Sequence, residues 1–219
     1  MPRMLFEKTG NAIWISHLDL MRVFQRAFKR AGLPLKHTQG FNPRPSVSIA
    51  LPLSVGIESR CELLDFDLDG VTATNDEIRE KLNAALISGV KVLSVYDNGS
   101  KIKNLATLDC SVYLEYDSGI PAGAAGEIQA LFSRESVIVE KKSKNGLVSQ
   151  DIIPMIYNFS VCEEDANTVC IRARICCQNP ALNPAQISLA ICGYLPHLAP
   201  DFSLCKREDI FDREGNQFR

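Results

Sequence analysis

The chain has 219 residues and a mass of 24.2 kDa, a length that suits one large domain or two small ones with a substantial core. Hydrophobic residues make up 46% and charged residues 23%, which excludes a disordered chain, a coiled coil and a collagen-like fibre. The net charge of −2 and the pI near 6.0 give no overall basic excess of the kind that indicates nucleic acid.

The charge is distributed unevenly along the chain. Residues 1–60 contain nine Lys/Arg against three Asp/Glu, a net charge of +6, whereas residues 61–219 contain fifteen against twenty-three, a net charge of −8. A chain divided in this way can present one basic surface to an anionic partner although its mean charge is acidic. The alternative is that surface charges cluster by chance.

The first hundred residues alternate between predicted strands and helices. The clearest element is a helix over residues 17–31, because its apolar side chains share one face at 100° per residue and because Gly32 and Pro34 follow it. The other predicted elements are strands at 3–8, 46–53, 60–69 and 90–96 and a helix that begins at Thr74 or Asn75 and continues to 86. This order, β-α-β-β-α-β, is the ferredoxin-like arrangement.

A polar and basic segment, residues 97–104, is predicted to separate two domains. The elements predicted after it are strands at 107–116, 136–142, 153–163 and 168–176 and helices at 122–132 and 184–193. The second half therefore repeats the first with one strand in excess. We predict an α+β protein with antiparallel sheets and two ferredoxin-like domains, residues 1–100 and 105–200, followed by a loosely held polar tail, residues 201–219.

The segment Ser16-His17-Leu18-Asp19 contains the residue types of a catalytic triad. A triad requires side chains that converge in space, whereas consecutive residues at a helix start diverge. Ser16 as the N-cap and Asp19 as an acidic residue of the first turn explain the spacing better. We therefore predict capping rather than catalysis.

The polar face of the first helix is the strongest functional signal. Four cations occupy one 100° arc and repel one another, so the arrangement is favourable only when they are solvated or neutralised by an anion. The following loop adds two more cations with His37, Gln39 and the aromatic Phe41. The predicted nucleic-acid-binding residues are Arg22, Arg26, Lys29, Arg30, Lys36, His37, Gln39, Phe41 and Arg44.

Two further features have more than one interpretation. Taken alone, Phe41 is expected to plug the core beneath its loop, whereas in a nucleic-acid interface it would stack on a base. The turn after residue 140 supplies a secondary basic patch with Lys141 and Lys144, although lysines there also protect a sheet edge. Asp151 is a lone acid in an apolar segment and is expected to anchor a loop.

The eight cysteines do not form a recognisable metal or cluster motif. Their spacing contains no C-x-x-C pair, and most lie in apolar runs where a free thiol acts as a small hydrophobe. No nucleotide-binding loop or nucleophile elbow is present, so we predict no cofactor and no metal. The sequence has no apolar stretch of 18 residues and no signal-peptide core at its start, which predicts a cytoplasmic protein without a membrane partner.

The segments FEKTG and ISHLDLMRVFQRAFKRAGLPLKHTQGFNPRPSVSIALPLSVGIESRCELLDFDL resemble the radical SAM-linked (radical SAM-associated) family, whose function is unknown. The later KKSKNGLVSQDIIPMI fits the same family, although Ile153 stands where the family often has an arginine, which weakens an anion site there. The resemblance implies an accessory protein that works beside a radical SAM iron–sulfur protein. It implies no catalytic residues.

Three functions are consistent with these observations. The leading hypothesis is a non-catalytic module that binds RNA, either tRNA or rRNA, for a radical SAM enzyme that modifies it. The first alternative is an interaction subunit whose basic face contacts only the partner protein. The second is a metal-independent ribonuclease in which His37 beside Lys36 acts as acid or base, a hypothesis based on fold analogy alone.

Overall fold

The structure is a computed structural model that describes residues 1–143 and 146–219. The chain divides into two compact units. Unit 1 comprises Met1–Asn104 together with Phe218–Arg219, and unit 2 comprises Leu105–Gln217. Both units combine helices with antiparallel strands, so the predicted α+β fold class is confirmed.

Unit 1 has the predicted order of elements. They are β1 (Arg3–Lys8), α1 (His17–Arg30), β2 (Val47–Ala50), β3 (Ile57–Phe66), α2 (Asn75–Ala85) and β4 (Val90–Tyr96), with short 3-10 turns at Gly10–Trp14 and Ile102–Asn104. Its strands pair antiparallel in the order β4-β1-β3-β2. Strands β1 and β4 have the predicted bounds, whereas β3 begins three residues before the predicted start at residue 60.

The core of unit 1 lies between its sheet and the apolar faces of its helices. Phe24 of α1 meets Phe6 edge to face with ring centroids 4.8 Å apart, and Phe28 meets Phe66 at 5.1 Å. Leu20 and Ala27 are buried on the same side of α1, as the predicted periodicity requires. This packing fixes α1 against the sheet and leaves its charged arc toward solvent.

Unit 2 repeats the topology of unit 1 with an insertion. Its elements are β5 (Leu105–Glu115), α3 (Ala124–Phe132), β6 (Ile138–Ser143), β7 (Gly146–Asp151), β8 (Ile156–Glu163), β9 (Thr168–Cys176), α4 (Ala185–Tyr194) and β10 (Phe202–Asp212), with 3-10 turns at Ile153–Met155 and Pro196–Leu198. Within this unit the strands pair antiparallel in the order β10-β5-β9-β8. Strands β6 and β7 pair only with each other. Without that pair, the order of elements equals that of unit 1.

Two sequence predictions for the second half are wrong. The excess over the repeated order is two strands rather than one, because Gly146–Asp151 forms β7. Residues 201–219 are not a loose tail, since Phe202–Asp212 forms β10 and pairs with β5 along its length. The run of four charged residues at 206–209 obscured this strand, although Cys205 before it and Ile210 after it are buried.

The last two residues belong to unit 1. The Arg3 guanidinium lies 5.7 Å from the centroid of the Phe218 ring, and the Ser100 N–H donates to the Arg219 carbonyl at 2.8 Å. Phe218 is buried. The polar composition of this end therefore did not prevent it from packing.

The cysteines act mostly as core residues, as predicted. Six of the eight are buried, and only Cys162 and Cys192 are exposed. Burial raises the pKa of the Cys205 thiol to about 11 and that of Cys177 to about 12. These thiols are therefore protonated at neutral pH and unreactive as nucleophiles.

Candidate nucleic-acid interface

The start of α1 is organised by the cap that the sequence predicts. The Ser16 hydroxyl accepts a hydrogen bond from the Asp19 N–H at 3.2 Å and donates one to the Asp19 carboxylate at 2.8 Å. The hydrogen bond from Ser16, followed by that from Arg22, lowers the pKa of Asp19. Ser16 and Asp19 are thus engaged in starting the helix, which supports capping over a catalytic triad.

The four cations of α1 are all exposed, but two of them make contacts within unit 1. Arg22 Nη1 lies 2.7 Å from Asp19 Oδ1. Arg30 Nη2 donates to the carbonyl of Ala85 at 2.5 Å, where α2 ends, so it satisfies a terminal carbonyl of the neighbouring helix. Among the described residues, Arg26 and Lys29 form no ion pair and remain available to an external anion.

The loop after α1 is held at its base by backbone contacts. The Lys36 N–H donates to the Asp67 carbonyl at 2.9 Å, and the Lys36 ammonium lies 3.5 Å from the Asp67 carboxylate. Residues 37 and 45 form an isolated bridge, and the Thr38 N–H donates to the Arg44 carbonyl at 2.8 Å. The base of the loop is therefore fixed by these contacts, and its tip consists of residues 39–43.

The tip exposes its aromatic residue. Phe41 is fully exposed, so the expectation that it plugs the core is wrong. Gly40 has a φ of +141°, a backbone conformation that other residues rarely adopt, and the tip turns there. Gln39 is also exposed, and the Arg44 side chain forms no ion pair within residues 1–143 and 146–219.

A groove of about 540 Å³ lies between α1 and this loop. Phe28, Leu35 and Pro45 contribute apolar surface to it, whereas Gln25, Lys29 and His37 contribute polar groups. The groove brings together Lys29 of the helix and His37 of the loop, two residues that the sequence predicted for one site. It also includes Gln25, which the sequence analysis missed although it stands one helical turn before Lys29.

The residues that the sequence predicted as a secondary site fall within the sequence range of unit 2. Lys141 is on β6, and Lys144 lies outside the described residues. The Asp151 carboxylate accepts hydrogen bonds from the N–H groups of Val137 and Ile153, both at 3.1 Å. It thereby anchors the residue before β6 and the backbone that follows β7. Desolvation raises the pKa of Asp151, but these hydrogen bonds together with that from Ser136 outweigh it and the pKa is lowered.

Unit 2 has a second groove, of about 440 Å³, on one face of its sheet. Arg174 lies there with its Nε and Nη2 at 2.7 and 2.9 Å from the two carboxylate oxygens of Asp109, and its guanidinium lies 3.8 Å from the centroid of the Phe211 ring. The sequence did not predict this group. The sequence feature that could have indicated this group is the alternation of Arg172 and Arg174 with buried apolar residues along β9.

The described residues contain neither a metal-binding cluster nor a helix that could span a membrane. No three His, Cys, Asp or Glu side chains are grouped so that they could hold a metal ion in residues 1–143 and 146–219. Within the same ranges, every helix is too short or too polar to cross a membrane.

Comparison with solved structures identifies the fold. A chain in the crystal structure of a Cbf5-Nop10-Gar1 complex superposes with a TM-score of 0.52 at 9% sequence identity, covering 95% of this chain and 48% of that one. A chain in the archaeal box H/ACA sRNP Nop10-Cbf5 complex gives a TM-score of 0.47 at 8% identity, covering 94% of this chain and 46% of that one. This protein thus spans about half the length of those chains, and at such identities the likeness concerns the fold alone.

Comparison by sequence identifies the family. No curated protein matches the chain. Residues 2–184 match the model of the family described as "Uncharacterized protein conserved in bacteria (DUF2344)", a description that names no activity and no partner. Because this match extends over most of the sequence, the chain belongs to the DUF2344 family of conserved bacterial proteins.

Proposed function

We propose that this protein is a non-catalytic RNA-binding module whose basic surface in unit 1 contacts the phosphate backbone. The observation that carries the proposal is a group of three exposed cations, Arg26, Lys29 and Arg44, none of which forms an ion pair with another described residue. They occur on α1 and on the loop, and Lys29 borders the groove that joins these two elements. Cations of this kind bind phosphates by charge and release counterions.

The contacts within unit 1 indicate which of the predicted residues contribute most to binding an external anion. Arg30 supports the end of α2, and Lys36 and Arg22 each have a carboxylate partner, so these three contribute less to binding an external anion. Arg26, Lys29 and Arg44 have no carboxylate partner among the described residues, so an external anion would supply their counter-charge. The overall charge of −2 does not oppose this proposal, because residues 1–60 alone have a net charge of +6.

The proposed partner is a radical SAM iron–sulfur protein in the cytoplasm, and the proposed RNA is tRNA or rRNA that this enzyme modifies. What supports the partner is the sequence resemblance described above. After nuclease treatment of a lysate, we expect the tagged chain to retain the iron–sulfur protein. Failure to retain it would remove the enzyme from the proposal and leave RNA binding in place.

The test of RNA binding is a titration of labelled tRNA or rRNA fragments followed by fluorescence anisotropy at several salt concentrations. We expect the affinity to fall steeply with salt, and the triple reversal R26E/K29E/R44E to weaken binding about 100-fold or more and to flatten the salt dependence. The matched control is R134E/R172E/R213E in unit 2, which changes the net charge equally and reverses exposed residues.

The outcomes separate the proposal from its competitors. Equal losses in the two triple variants would show that net charge alone attracts RNA, and the assignment to unit 1 would be wrong. A triple reversal in unit 1 that leaves RNA binding intact but releases the partner protein would favour the interaction subunit. Cleavage of the RNA during long incubation, abolished in His37→Ala, would favour the ribonuclease.

A further inference from the structure

We infer that the groove between α1 and the loop receives one unpaired base of the RNA, so that unit 1 selects single-stranded RNA over duplex. The inference rests on the proposed function, because it names the class of RNA that the same surface binds. Three features of the groove lead to it: its size and apolar surface, the polar groups along it, and the exposed aromatic ring at the loop tip.

The groove has the dimensions and surface of a site for a planar ring. Its volume of about 540 Å³ lies within the range of small-ligand sites and accommodates a nucleotide. Phe28 and Leu35 are buried beneath it and Pro45 forms part of its wall, so an aromatic base would gain apolar contact there. A phosphate alone would find no complementary surface at this apolar floor.

The polar groups suit the remaining parts of a nucleotide. The side-chain amide of Gln25 offers both donors and an acceptor, which a base edge can match. Lys29 supplies a cation without an ion pair in the described part of the chain, and it fits a phosphate beside the base. His37 is exposed at the groove, and its backbone is fixed by the bridge to Pro45.

The exposed ring of Phe41 offers a second contact, outside the groove, that would favour single-stranded RNA. Its ring is fully exposed, which leaves apolar surface in water unless a partner covers it. Base stacking on an exposed aromatic ring is a common mode of recognition for single-stranded nucleic acid. The ring therefore suits the base next to the one in the groove.

Duplex RNA cannot satisfy either contact. In a duplex, each base is stacked on both faces and its pairing edge is occupied, so filling the groove would require unpairing and extrusion of a base. Phosphate contacts with Arg26 and Arg44, in contrast, are possible with either form of RNA. The two classes of residue thus predict different effects on selectivity.

The experiment compares three labelled RNAs of about 12 nucleotides by fluorescence anisotropy with the full chain: a single strand, its duplex, and the single strand with abasic positions. We expect the single strand to bind about tenfold more tightly than the other two. The variant Q25A/F41A should abolish this preference while duplex affinity stays unchanged. Arg26→Gln should weaken all three RNAs by a similar factor, and Phe202→Ala, which removes an exposed aromatic ring in unit 2, should change none.

The results distinguish failure of the inference from failure of the proposed function. Equal affinity for single strand and duplex, or a preference that survives in Q25A/F41A, would overturn the inference while RNA binding stands. Absence of binding to all three RNAs at low salt would overturn the proposed function and the inference with it. Loss of duplex affinity in Q25A/F41A would show a general defect of the surface, and it would also contradict the assignment of these residues to bases.

Discussion

The two units share one topology but differ in how their helices begin and in what their surfaces carry. In unit 1, Ser16 caps α1 and Thr74 caps α2 with a capping box, and charged residues line the outer face of α1. In unit 2, α3 follows Gly123, and within the described residues no side chain caps it. The start of α4 is capped by Asn183, whose Oδ1 accepts from the Ala185 N–H at 3.0 Å and whose N–H donates to the Gln186 side chain at 3.1 Å. The same strand order therefore forms with and without strong local helix signals.

This difference shows which interactions determine the topology and which determine the surface. Antiparallel pairing and burial of alternate residues are common to the strands of both units, so they suffice for the shared order of strands. The side-chain cap on the first helix and the row of cations along that helix are local additions that unit 1 has and the described part of unit 2 lacks. The β6–β7 pair is likewise an addition between α3 and β8, held by Asp151. The following substitutions test how independent these features are.

The largest expected effect concerns the core under α1. We expect Phe24→Ala to destabilise unit 1 by about 3–5 kcal/mol, because it removes a fully buried ring that packs on Phe6. Leu18→Ala, on the exposed side of the same helix, should change the stability by less than about 0.5 kcal/mol. Urea unfolding followed by the fluorescence of Trp14, the single tryptophan, reports on unit 1.

Hydrogen exchange of β9 amides during the same measurements reports on unit 2. If Phe24→Ala lowers the protection of β9 as much as that of β1, the two units unfold together and their folding is not independent. If it lowers the protection of unit 1 amides alone, the two units unfold independently of each other.

A buried lysine stabilises the start of unit 1. Lys8 is almost fully buried, and its ammonium donates to the carbonyls of Ile13 at 3.1 Å and Ile15 at 2.8 Å. We expect Lys8→Met to cost about 2 kcal/mol, because two carbonyls lose their donor. Equilibrium unfolding at pH 7 measures this loss, and a change below about 0.5 kcal/mol would show that water replaces the ammonium.

The same residue predicts a pH dependence. Desolvation lowers the pKa of Lys8 below 10.5, although Glu62 partly offsets it. The folded chain therefore loses this proton at a lower pH than the unfolded chain, so the unfolded state binds more protons in that interval. The wild type should accordingly gain stability relative to Lys8→Met as the pH rises toward 10.5, and a constant difference would contradict the lowered pKa.

Asp151 provides the matching test in unit 2, with the opposite charge. We expect Asp151→Ala to destabilise unit 2 by about 1 kcal/mol, because the N–H groups of Val137 and Ile153 lose their acceptor. Asp151→Asn keeps an acceptor oxygen and should recover most of the loss. Protection of the Val137 and Ile153 amides from hydrogen exchange measures the effect.

The pH dependence of Asp151 should have the same direction as that of Lys8, because both pKa values are lowered in the folded chain, but it should occur in the acidic range. Because its pKa is lowered in the folded chain, its contribution is present above the unfolded value near 3.8 and is lost as the pH falls through the folded pKa. The stability difference between wild type and Asp151→Asn should therefore shrink below pH 3.8. A difference that is unchanged at pH 3 would exclude the charge as its source.

An effect as small as that of Asp151→Ala concerns the cap of α1. Ser16→Ala should destabilise unit 1 by about 1 kcal/mol, because the first turn loses the acceptor for the Asp19 N–H. Ser16→Asn should restore it. Thermal unfolding followed by circular dichroism measures the change, and no change in Ser16→Ala would mean that tertiary packing alone starts α1, as it does for α3 in unit 2.

The parts of unit 1 that the sequence predicted are those with signals within a few residues. The N-cap at Ser16, the amphipathic face of α1 and the bounds of β1 and β4 follow from spacings of two to four residues. Strand β10 escaped prediction because residues 206–209 are all charged, which interrupts the alternation of a strand, and because its pairing partner, β5, begins about a hundred residues earlier in the chain. In unit 2, where no side chain among the described residues caps α3, the helix begins at Ala124, two residues after its predicted start at residue 122.

In the candidate site, too, some features follow from local sequence signals and others from contacts between distant parts of the chain. The sequence by itself determined that four cations share one face of α1 and that a loop with Phe41 follows it, because helical periodicity and turn residues are local. Only the tertiary structure decided that Arg30 bonds to Ala85, 55 positions away, that Lys36 pairs with Asp67, and that Phe41 is exposed. Which charges remain available, and whether a ring is buried, depends on neighbours that folding brings from distant parts of the chain, and those neighbours have no fixed spacing in the sequence.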